Sequence, residues 1–486
     1  MSTPVSVMGL SLALLLPWLC GALWIRVLLR GPAEHNLFLS LGHGYFVGMF
    51  LVTLILRLWN GAGLQLAFWP IAALLALLSI AAWVLSLRQP IVSLRKPLDS
   101  LGQPLDPTGT AAPTSPRWQS VVAGLLLALL AWRYLGLGLE LVSRPLFAWD
   151  AFMNWAPKAV LWFQLGELTP FVAMEEWFGQ ENVYTLGNER ASLYPPTVSL
   201  IQLWHMLGAG TWDSGSVFIG WVAAPVALGM GLYGQLRLAR VNFLLAVIAV
   251  YLLLSLPYHN VHAVLAGYAD IWLAAVFGLA VCALYEWRQD RHAGWALLWC
   301  VYAVLCMQLK NPGLTLGLVV LLAGALGSLR SGMRLRVVLG LFAVIVGLML
   351  IGVEMQLPYL GKFVLDTWEI EVGRFGRFEL QYHAVGGAFS TTFFTMINWH
   401  LLGYLVPPAL LYSLYRVGRP RVPEAELLAV LGGVAFIVLV FVFTKHHKLA
   451  LNFVTLNRAL LYLVPAVLFC LFIQLRAVKS AKPDNA

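Results

Sequence analysis

Apolar stretches of about 20 residues recur along the whole chain, and they constrain its fold more than any other feature. About 20 consecutive apolar residues are what a helix needs to cross the hydrocarbon core of a bilayer. Stretches of this kind lie near residues 5–25, 37–57, 66–87, 119–139, 214–235, 241–257, 268–287, 293–309, 313–329, 335–353, 394–415, 425–443 and 458–475. The sequence therefore predicts an all-α polytopic membrane protein with about thirteen transmembrane helices.

The composition excludes the main soluble alternatives. Hydrophobic residues make up 60% of the chain and charged residues 11%, whereas soluble domains average roughly 25% charged residues. A soluble fold could not keep this much apolar surface away from water. A disordered chain, a disulfide scaffold and a nucleic-acid-binding module are excluded as well, and the formal charge of +9 is interpreted as a consequence of membrane topology.

Lys and Arg are concentrated in every second connection, and this alternation gives the predicted orientation. Basic residues are typical of cytoplasmic loops. The basic connections contain Arg26 and Arg30; Arg88, Arg95, Lys96 and Arg117; Arg237 and Arg240; Arg288 and Arg291; Arg330, Arg334 and Arg336; Arg416, Arg419 and Arg421; and Arg476, Lys479 and Lys482. With these in the cytoplasm, the N-terminus lies outside. The alternation also requires the apolar residues 196–209 not to cross, so they are predicted to be juxtamembrane or re-entrant.

The spans and connections divide the chain into four predicted parts. Residues 88–118 are rich in Pro, Gly, Ser and Thr, a composition typical of linkers. The parts are three N-terminal transmembrane helices (1–87), a cytoplasmic linker (88–118), a transmembrane body (119–476) with long outer loops at 140–213 and 354–393, and a cytoplasmic tail (477–486).

The first long outer loop carries an amphipathic pattern. Asp150, Asn154 and Lys158 are four residues apart, so they share one face of a helix, and the intervening residues are mostly apolar or aromatic. This pattern is typical of a juxtamembrane helix with aromatic anchors at the lipid headgroups. Asp150 is either the N-cap of this helix or a carboxylate at the membrane boundary that accepts a proton from a hydroxyl group.

A second motif follows in the same loop. Glu189 and Arg190 precede Tyr194, Pro195 and Pro196, and the two prolines favour an extended turn. Glu189 and Arg190 either face a substrate or form an ordinary surface ion pair.

Three more charged residues lie at predicted outer ends of helices. Asp270 begins a span, shortly after His259 and His262; it is a cap or a site residue, and a metal site is only weakly indicated. Lys310 lies in a tight turn, where it either extends to the membrane surface or neutralises a lipid-linked phosphate. Arg458 is either an interfacial anchor or a bidentate ligand for phosphate.

Taken in order, these motifs resemble the GT-C superfamily of membrane glycosyltransferases, particularly the bacterial relatives of aminoarabinose transferases and protein O-mannosyltransferases. The resemblance covers the body from about residue 119 to residue 475. The matching motifs are the segment from Trp149 to Lys158, Tyr194-Pro195-Pro196, the segment from Gly267 to Asp270, Lys310-Asn311, and the segment from Asn457 to Pro465.

The resemblance implies a GT-C-like fold and an enzymatic function. The fold would place juxtamembrane helices in a long first periplasmic loop. The reaction would be inverting transfer of a sugar from a polyprenyl-phosphate donor to a hydroxyl acceptor (a glycolipid, a glycan or a protein), on the periplasmic face of the bacterial inner membrane. Asp150 would be the base, and Asp270 would assist, through a divalent metal ion or by orienting the acceptor. The residues implied to bind substrates are Trp149, Asn154, Lys158, Glu189, Arg190, Tyr194, Lys310 and Arg458.

Two other functions remain open at the level of sequence. An O-antigen-ligase-like polymer transferase would use the second long outer loop, with Arg374, Arg377 and His383. A non-enzymatic lipid or glycolipid transporter would have inverted repeats around a central cavity. The sequence shows no convincing repeat, and within the spans Arg133 is the only deeply placed charge, a pattern that also argues against an ion pump.

Overall fold

The computed structural model describes residues 5–29, 36–87, 116–179, 185–357, 361–373, 376–417 and 424–480. Most of the predicted linker, residues 88–115, and the end of the predicted tail, residues 481–486, lie outside the described residues. The helices of the described residues are α1 (Val7–Leu28), α2 (Leu37–Gly61), α3 (Phe68–Leu87), α4 (Arg117–Ser143), α5 (Ala156–Leu165), α6 (Met174–Phe178), α7 (Glu189–Ser192), α8 (Thr197–Ala209), α9 (Gly220–Leu238), α10 (Phe243–Ser255), α11 (Pro257–Val264), α12 (Asp270–Asp290), α13 (Ala293–Leu309), α14 (Asn311–Ser328), α15 (Ser331–Ile351), α16 (Gly386–Ser390), α17 (Leu402–Val417), α18 (Ala425–Phe443), α19 (His447–Leu451) and α20 (Val454–Ser480).

Among the described residues, ten helices are long and apolar enough to cross a membrane, and α10 with α11 adds an eleventh span if this bent pair crosses as one. Two further predicted spans are helical but shorter, since α13 has 17 residues and α17 has 16. The predicted class, a helical multi-pass membrane protein, is confirmed. The predicted number of about thirteen is reached only if the bent pair, α13 and α17 all cross.

Pro257 explains the bend between α10 and α11. The two helices meet at an angle of 60°. Leu256, the residue between them, is extended, with φ −58° and ψ 127°, as expected for a residue that precedes proline. The bend directs α11 towards the start of α12.

The central helix of the bundle is α12. It is buried continuously from Asp270 to Glu286 and packs against α9, α13, α14, α18 and α20. At its far end, Arg288 binds Glu424 at 2.8 Å and Glu426 at 2.5 Å near the start of α18.

The three N-terminal helices pack directly against the rest of the bundle. A Cβ atom added to Gly42 on α2 would lie 2.1 Å from the backbone nitrogen of Gly231 on α9. One added to Gly9 on α1 would lie 2.0 Å from the carbonyl oxygen of Gly208 on α8. Glycines allow this close approach of helix backbones, which is a common way to pack helices in membranes.

The first long connection, between α4 and α9, contains α5 to α8. A two-stranded parallel sheet, β1 (Phe171–Val172) and β2 (Leu186–Gly187), also lies there. The stretch predicted not to cross forms α8, which has 13 residues and is therefore only about 20 Å long. This length is too short for a membrane span. Nearly all of α8 is buried, and it packs against α1, α2 and α5.

The second long connection contains a small antiparallel sheet that was not predicted from the sequence. Its strands are consecutive neighbours, β3 (Val353–Leu357), β4 (Gly361–Leu365), β5 (Glu369–Val372) and β6 (Gly376–Glu379). Val353 lies opposite Leu365, and Glu369 lies opposite Glu379. The protein is therefore helical in its membrane part, and this connection adds a sheet to it.

Two of the three residues named for the polymer-transferase alternative, Arg377 and His383, make contacts in the structure. Arg377 pairs with Glu369 at 2.5 Å. The ring of His383 stacks on that of His447, with ring centroids 3.6 Å apart. Arg374 lies outside the described residues.

Candidate functional site

Asp270, the first residue of α12, is the centre of a cluster of charged and hydroxyl groups. Its side chain is completely buried. Oδ1 accepts hydrogen bonds from Lys310 Nζ at 2.8 Å, Tyr462 OH at 2.6 Å and Arg458 Nε at 3.2 Å. Oδ2 accepts one from Arg458 Nη2 at 2.8 Å. These four bonds come from three side chains and engage both carboxylate oxygens, so Asp270 is a fixed anchor for two cations.

Lys310 is held at this anchor by the junction of two helices. It lies in extended backbone between α13 and α14, and Pro312, in the first turn of α14, favours a helix start directly after it. Its ammonium is 3.3 Å from Tyr462 OH and 5.9 Å from the ring centre of Trp155. Burial lowers the pKa of Lys310, and the negative charge of Asp270 opposes this shift.

Arg458 connects both carboxylates of the site. It lies in the second turn of α20, and Tyr462, four residues later, is on the same face. Nη2 binds Asp150 Oδ2 at 2.5 Å as well as Asp270. The guanidinium lies 4.9 Å from the ring centre of Tyr268, a separation at which a cation–π contact is stabilising.

The start of α20 is fixed by the segment before α17. Asn457 Oδ1 accepts hydrogen bonds from Trp399 Nε1 at 2.8 Å and from Asn398 Nδ2 at 3.1 Å. Asn457 Nδ2 donates to the carbonyl of Phe453 at 2.7 Å. These bonds hold the turn of helix next to Arg458, so the second long connection supports the site without contributing to its charge cluster.

Asp150 lies on the more accessible side of the cluster. Its side chain is 22% exposed, compared with 13% for Arg458 and 0% for Asp270. Its carboxylate makes no capping bond, so the N-cap interpretation is wrong, and the side chain binds Arg458 instead. Its backbone N–H donates to Tyr268 OH at 3.2 Å.

The segment after Asp150 does not form the continuous surface helix that its spacing predicts. Residues Ala151–Trp155 form one π-helical turn before α5 begins. Asn154 and Lys158 are each only 3% exposed, whereas Trp149 is 63% exposed and lies outside the charge cluster. The extra residue in a π turn shifts the register, and the polar side chains point into the protein.

Lys158 and Tyr194 are bonded to each other next to this segment. Lys158 Nζ donates to the carbonyl oxygen of Tyr194 at 2.6 Å. The ring centres of Tyr194 and Trp155 are 5.1 Å apart, and Trp155 in turn faces Lys310. Lys158 and Tyr194 therefore contact the charge cluster indirectly, through Trp155. Glu189 and Arg190 lie in α7, where the structure describes their backbone alone, so their predicted roles stay predictions.

Lys158 is expected to make stability depend on pH. Burial lowers its pKa from 10.5 to about 7. Between these values the unfolded chain binds more protons than the folded protein, so stability rises with pH across this window. The rise approaches about 1.4 kcal/mol per pH unit. Between pH 7.5 and 9.5, the unfolding midpoint of the detergent-solubilised wild type should change with pH more favourably, by the contribution of Lys158, than that of Lys158→Met, because the other titrating groups contribute equally to both proteins.

The exposed Lys445 provides the matched control, since Lys445→Met should keep the wild-type slope. Equal slopes in all three proteins would contradict the assignment of the shift to Lys158.

Four members of the cluster, Asp150, Asp270, Lys310 and Arg458, were predicted from the sequence, and the structure brings them together. Tyr462 and Tyr268 were not predicted. Tyr462 could have been found from its spacing of four residues from Arg458 on one helix. The contact of Tyr268 with both Asp150 and Arg458 depends on the tertiary fold and leaves no signal in the sequence.

The side chains present do not fit a divalent metal ion. Both oxygens of Asp270 already accept hydrogen bonds from cations or a hydroxyl group, and Asp150 is paired with Arg458. Two positive charges at hydrogen-bonding distance would repel a metal. His259 and His262 are buried on α11 without a bond to Asp270, and within the described ranges no group of three or more His, Cys, Asp or Glu could hold a metal.

The charges of the cluster balance formally but are unequal in accessibility. Two cations face two carboxylates; Asp270 is enclosed, and Asp150 is partly exposed. An anion with several oxygen atoms, such as a phosphate group, would find donors on Lys310 and Arg458. A carboxylate capable of accepting a proton lies directly beside them.

Comparisons with known proteins leave the function to be judged from this geometry. The chain matches no protein-family model, no curated protein and no solved structure. The likeness to GT-C enzymes therefore rests on the sequence motifs.

Proposed function

We propose that the protein is an inverting glycosyltransferase that moves a sugar from a polyprenyl-phosphate donor to a hydroxyl acceptor at the periplasmic face of the bacterial inner membrane. The acceptor is a glycolipid, a glycan or a protein. One observation carries the proposal: Lys310 and Arg458 are fixed on the buried Asp270, directly beside the partly exposed Asp150.

The cation pair suits the leaving group of such a reaction. When the sugar leaves the donor, negative charge develops on the phosphate. Lys310 and Arg458 are already held in place by Asp270, so they can stabilise that charge without reorganising. Removing one preorganised donor of this kind commonly lowers the rate by roughly 10²–10³-fold.

Asp150 suits the role of general base. The acceptor hydroxyl would give its proton to a carboxylate oxygen of Asp150 while its own oxygen bonds to the anomeric carbon. The bond between that carbon and the phosphate oxygen breaks, and its electron pair leaves on the phosphate. Attack from the side opposite the leaving group inverts the anomeric centre.

The site's surroundings support a lipid-linked donor. Helices α12, α14 and α20 all begin at or close to residues of the cluster, so a phosphate bound there would have its prenyl tail close to the helices that cross the bilayer. Trp149 and Phe152, both more than half exposed, are suited to the headgroup region. The basic residues at the opposite end of the bundle, among them Arg288 and Arg334, support the periplasmic orientation.

Mass spectrometry of cell-envelope glycolipids and glycans with and without the gene tests the proposal. We expect one sugar to disappear from its acceptor and its polyprenyl-phosphate-linked form to accumulate. Reintroducing the wild-type gene should reverse both changes, whereas Lys310→Met should not. An unchanged set of glycans and lipid-linked sugars would contradict the proposal.

A further inference from the structure

We infer that Arg458 is exchanged between Asp150 and the phosphate of the donor, so that donor binding itself releases the base. In the free protein Asp150 is tied to Arg458. A bound phosphate takes the place of Asp150 on the guanidinium, and the released carboxylate is then available to the acceptor hydroxyl. This inference rests on the proposed function.

The two carboxylates on Arg458 differ in how firmly they are held. Asp270 is buried and receives four hydrogen bonds from three side chains. Among the described residues, the carboxylate of Asp150 is bound by Arg458 alone, through one oxygen at 2.5 Å. Displacing Asp150 therefore breaks one interaction and moves a carboxylate that is already 22% exposed, whereas displacing Asp270 would leave two buried cations without their shared partner.

Arg458 itself is held in place during the exchange. Two of its nitrogens bind Asp270, and its guanidinium lies over the ring of Tyr268. Nη2 is the atom shared by Asp150 and Asp270. An incoming phosphate oxygen would compete for this shared atom with the more weakly held partner.

The charge balance indicates which phosphate fits. Once Asp150 has left, Lys310, Arg458 and Asp270 together carry one formal positive charge. A sugar linked to a prenol through a single phosphate is a phosphodiester with one negative charge, which matches. A diphosphate-linked sugar carries more negative charge than the three residues can neutralise, so the site favours monophosphate-linked donors.

The exchange also gives a route to product release. After transfer, Asp150 holds the proton of the acceptor and is neutral, so it does not compete with the prenyl phosphate product. When that proton passes to water, the carboxylate becomes charged again and returns to Arg458. Its return weakens the hold of the site on the product.

Binding of a saturated prenyl phosphodiester, phytanyl methyl phosphate, to the protein in lipid nanodiscs tests the exchange. Asp150→Asn removes the competitor, so we expect binding about tenfold tighter than in the wild type, the equivalent of about 1.4 kcal/mol. Asp270→Asn should instead weaken binding, because both cations lose their anchor. Glu167→Gln removes an exposed carboxylate of the same connection and should leave binding unchanged.

Two outcomes would overturn the inference in different ways. If Asp150→Asn and a second variant, Asp150→Ser, bind the probe no more tightly than the wild type while Lys310→Met binds it more weakly, the exchange is wrong and the phosphate site stands. If Lys310→Met and Arg458→Gln bind the probe as well as the wild type, the phosphate site is wrong and the proposed function fails with it. A merely structural role for Asp150 predicts weaker binding, never tighter.

Discussion

Replacing Asp270 with Asn is expected to destabilise the folded protein by about 3–5 kcal/mol and to abolish transferase activity. The amide has one acceptor oxygen in place of two, and its NH2 group would point at a cation. Lys310 and Arg458 would then be left largely buried without full compensation of their charges. The midpoint of unfolding in detergent and the rate of sugar transfer measure the two effects.

Asp290→Asn is the matched control for this prediction. Asp290 lies at the opposite end of the same helix, is exposed, and accepts a hydrogen bond from the backbone of His292 at 2.8 Å, which Asn can also accept. We expect little change in stability there. Equal losses in the two variants would show that Asp270 does not anchor a buried charge cluster.

A double variant separates loss of the anchor from loss of packing. If the unpaired ammonium of Lys310 causes much of the destabilisation, Asp270→Asn with Lys310→Met should be more stable than Asp270→Asn alone. Coupling energies between residues in direct contact are commonly about 0.5–3 kcal/mol. A double variant whose losses simply add would contradict the direct interaction.

Asp150→Asn is expected to lower kcat by roughly 10²–10⁴-fold while leaving stability close to that of the wild type. The substitution keeps the shape of the side chain and removes its ability to accept a proton. Because Asp150 is partly exposed and Arg458 keeps its two bonds to Asp270, the fold should tolerate the change. Steady-state transfer kinetics and the unfolding midpoint, measured on the same preparation, test both statements.

The control for Asp150 is Glu167→Gln, which removes an exposed carboxylate from the same connection and should leave kcat unchanged. The base assignment would be contradicted if Asp150→Asn retained full activity. It would also be contradicted if activity fell only in proportion to the amount of folded protein, since that result would make Asp150 a structural residue.

The contrasting behaviour of these two aspartates could not be derived from the sequence. Both appeared as candidate acids near the start of a helix. Local patterns do not reveal that Asp270 receives four hydrogen bonds, whereas the carboxylate of Asp150 is bound by a single side chain. The capping interpretation of Asp150 failed for the same reason. Arg458, which is distant in sequence, provides a stronger partner than the free N–H groups of the next turn.

Hydrophobic patterning predicted the helices well because lipid requires every backbone group in it to be bonded within the segment. This requirement does not apply to the connections. The sheet from β3 to β6 has strands of four or five residues. Patterns this short are hard to recognise in a sequence dominated by long apolar stretches. The sequence signals for its turns are Gly361 and Gly376. Both adopt positive φ angles, +78° and +91°, which glycine allows.

The π-helical turn after Asp150 illustrates a further limit. The spacing of Asp150, Asn154 and Lys158 fits a regular helix, and nothing in the sequence signals an extra residue in that turn. As a result, Asn154 and Lys158 are buried, although the spacing placed them on the polar face of a surface helix. The packing of Trp155 against Tyr194 and towards Lys310 accounts for the change.

Release of polyprenyl phosphate from lipid-linked sugars is the most direct test of the central claim, that Asp150, Asp270, Lys310 and Arg458 form the site of a lipid-phosphate-dependent sugar transferase. Purified protein would be reconstituted into liposomes with envelope lipids and acceptors extracted from cells that lack the gene, and free polyprenyl phosphate would be measured by mass spectrometry. The wild type should release polyprenyl phosphate in step with the appearance of glycosylated acceptor, and Asp150→Asn should release almost none. Absence of release by the wild type, or equal release by the wild type and the variant, would contradict the claim.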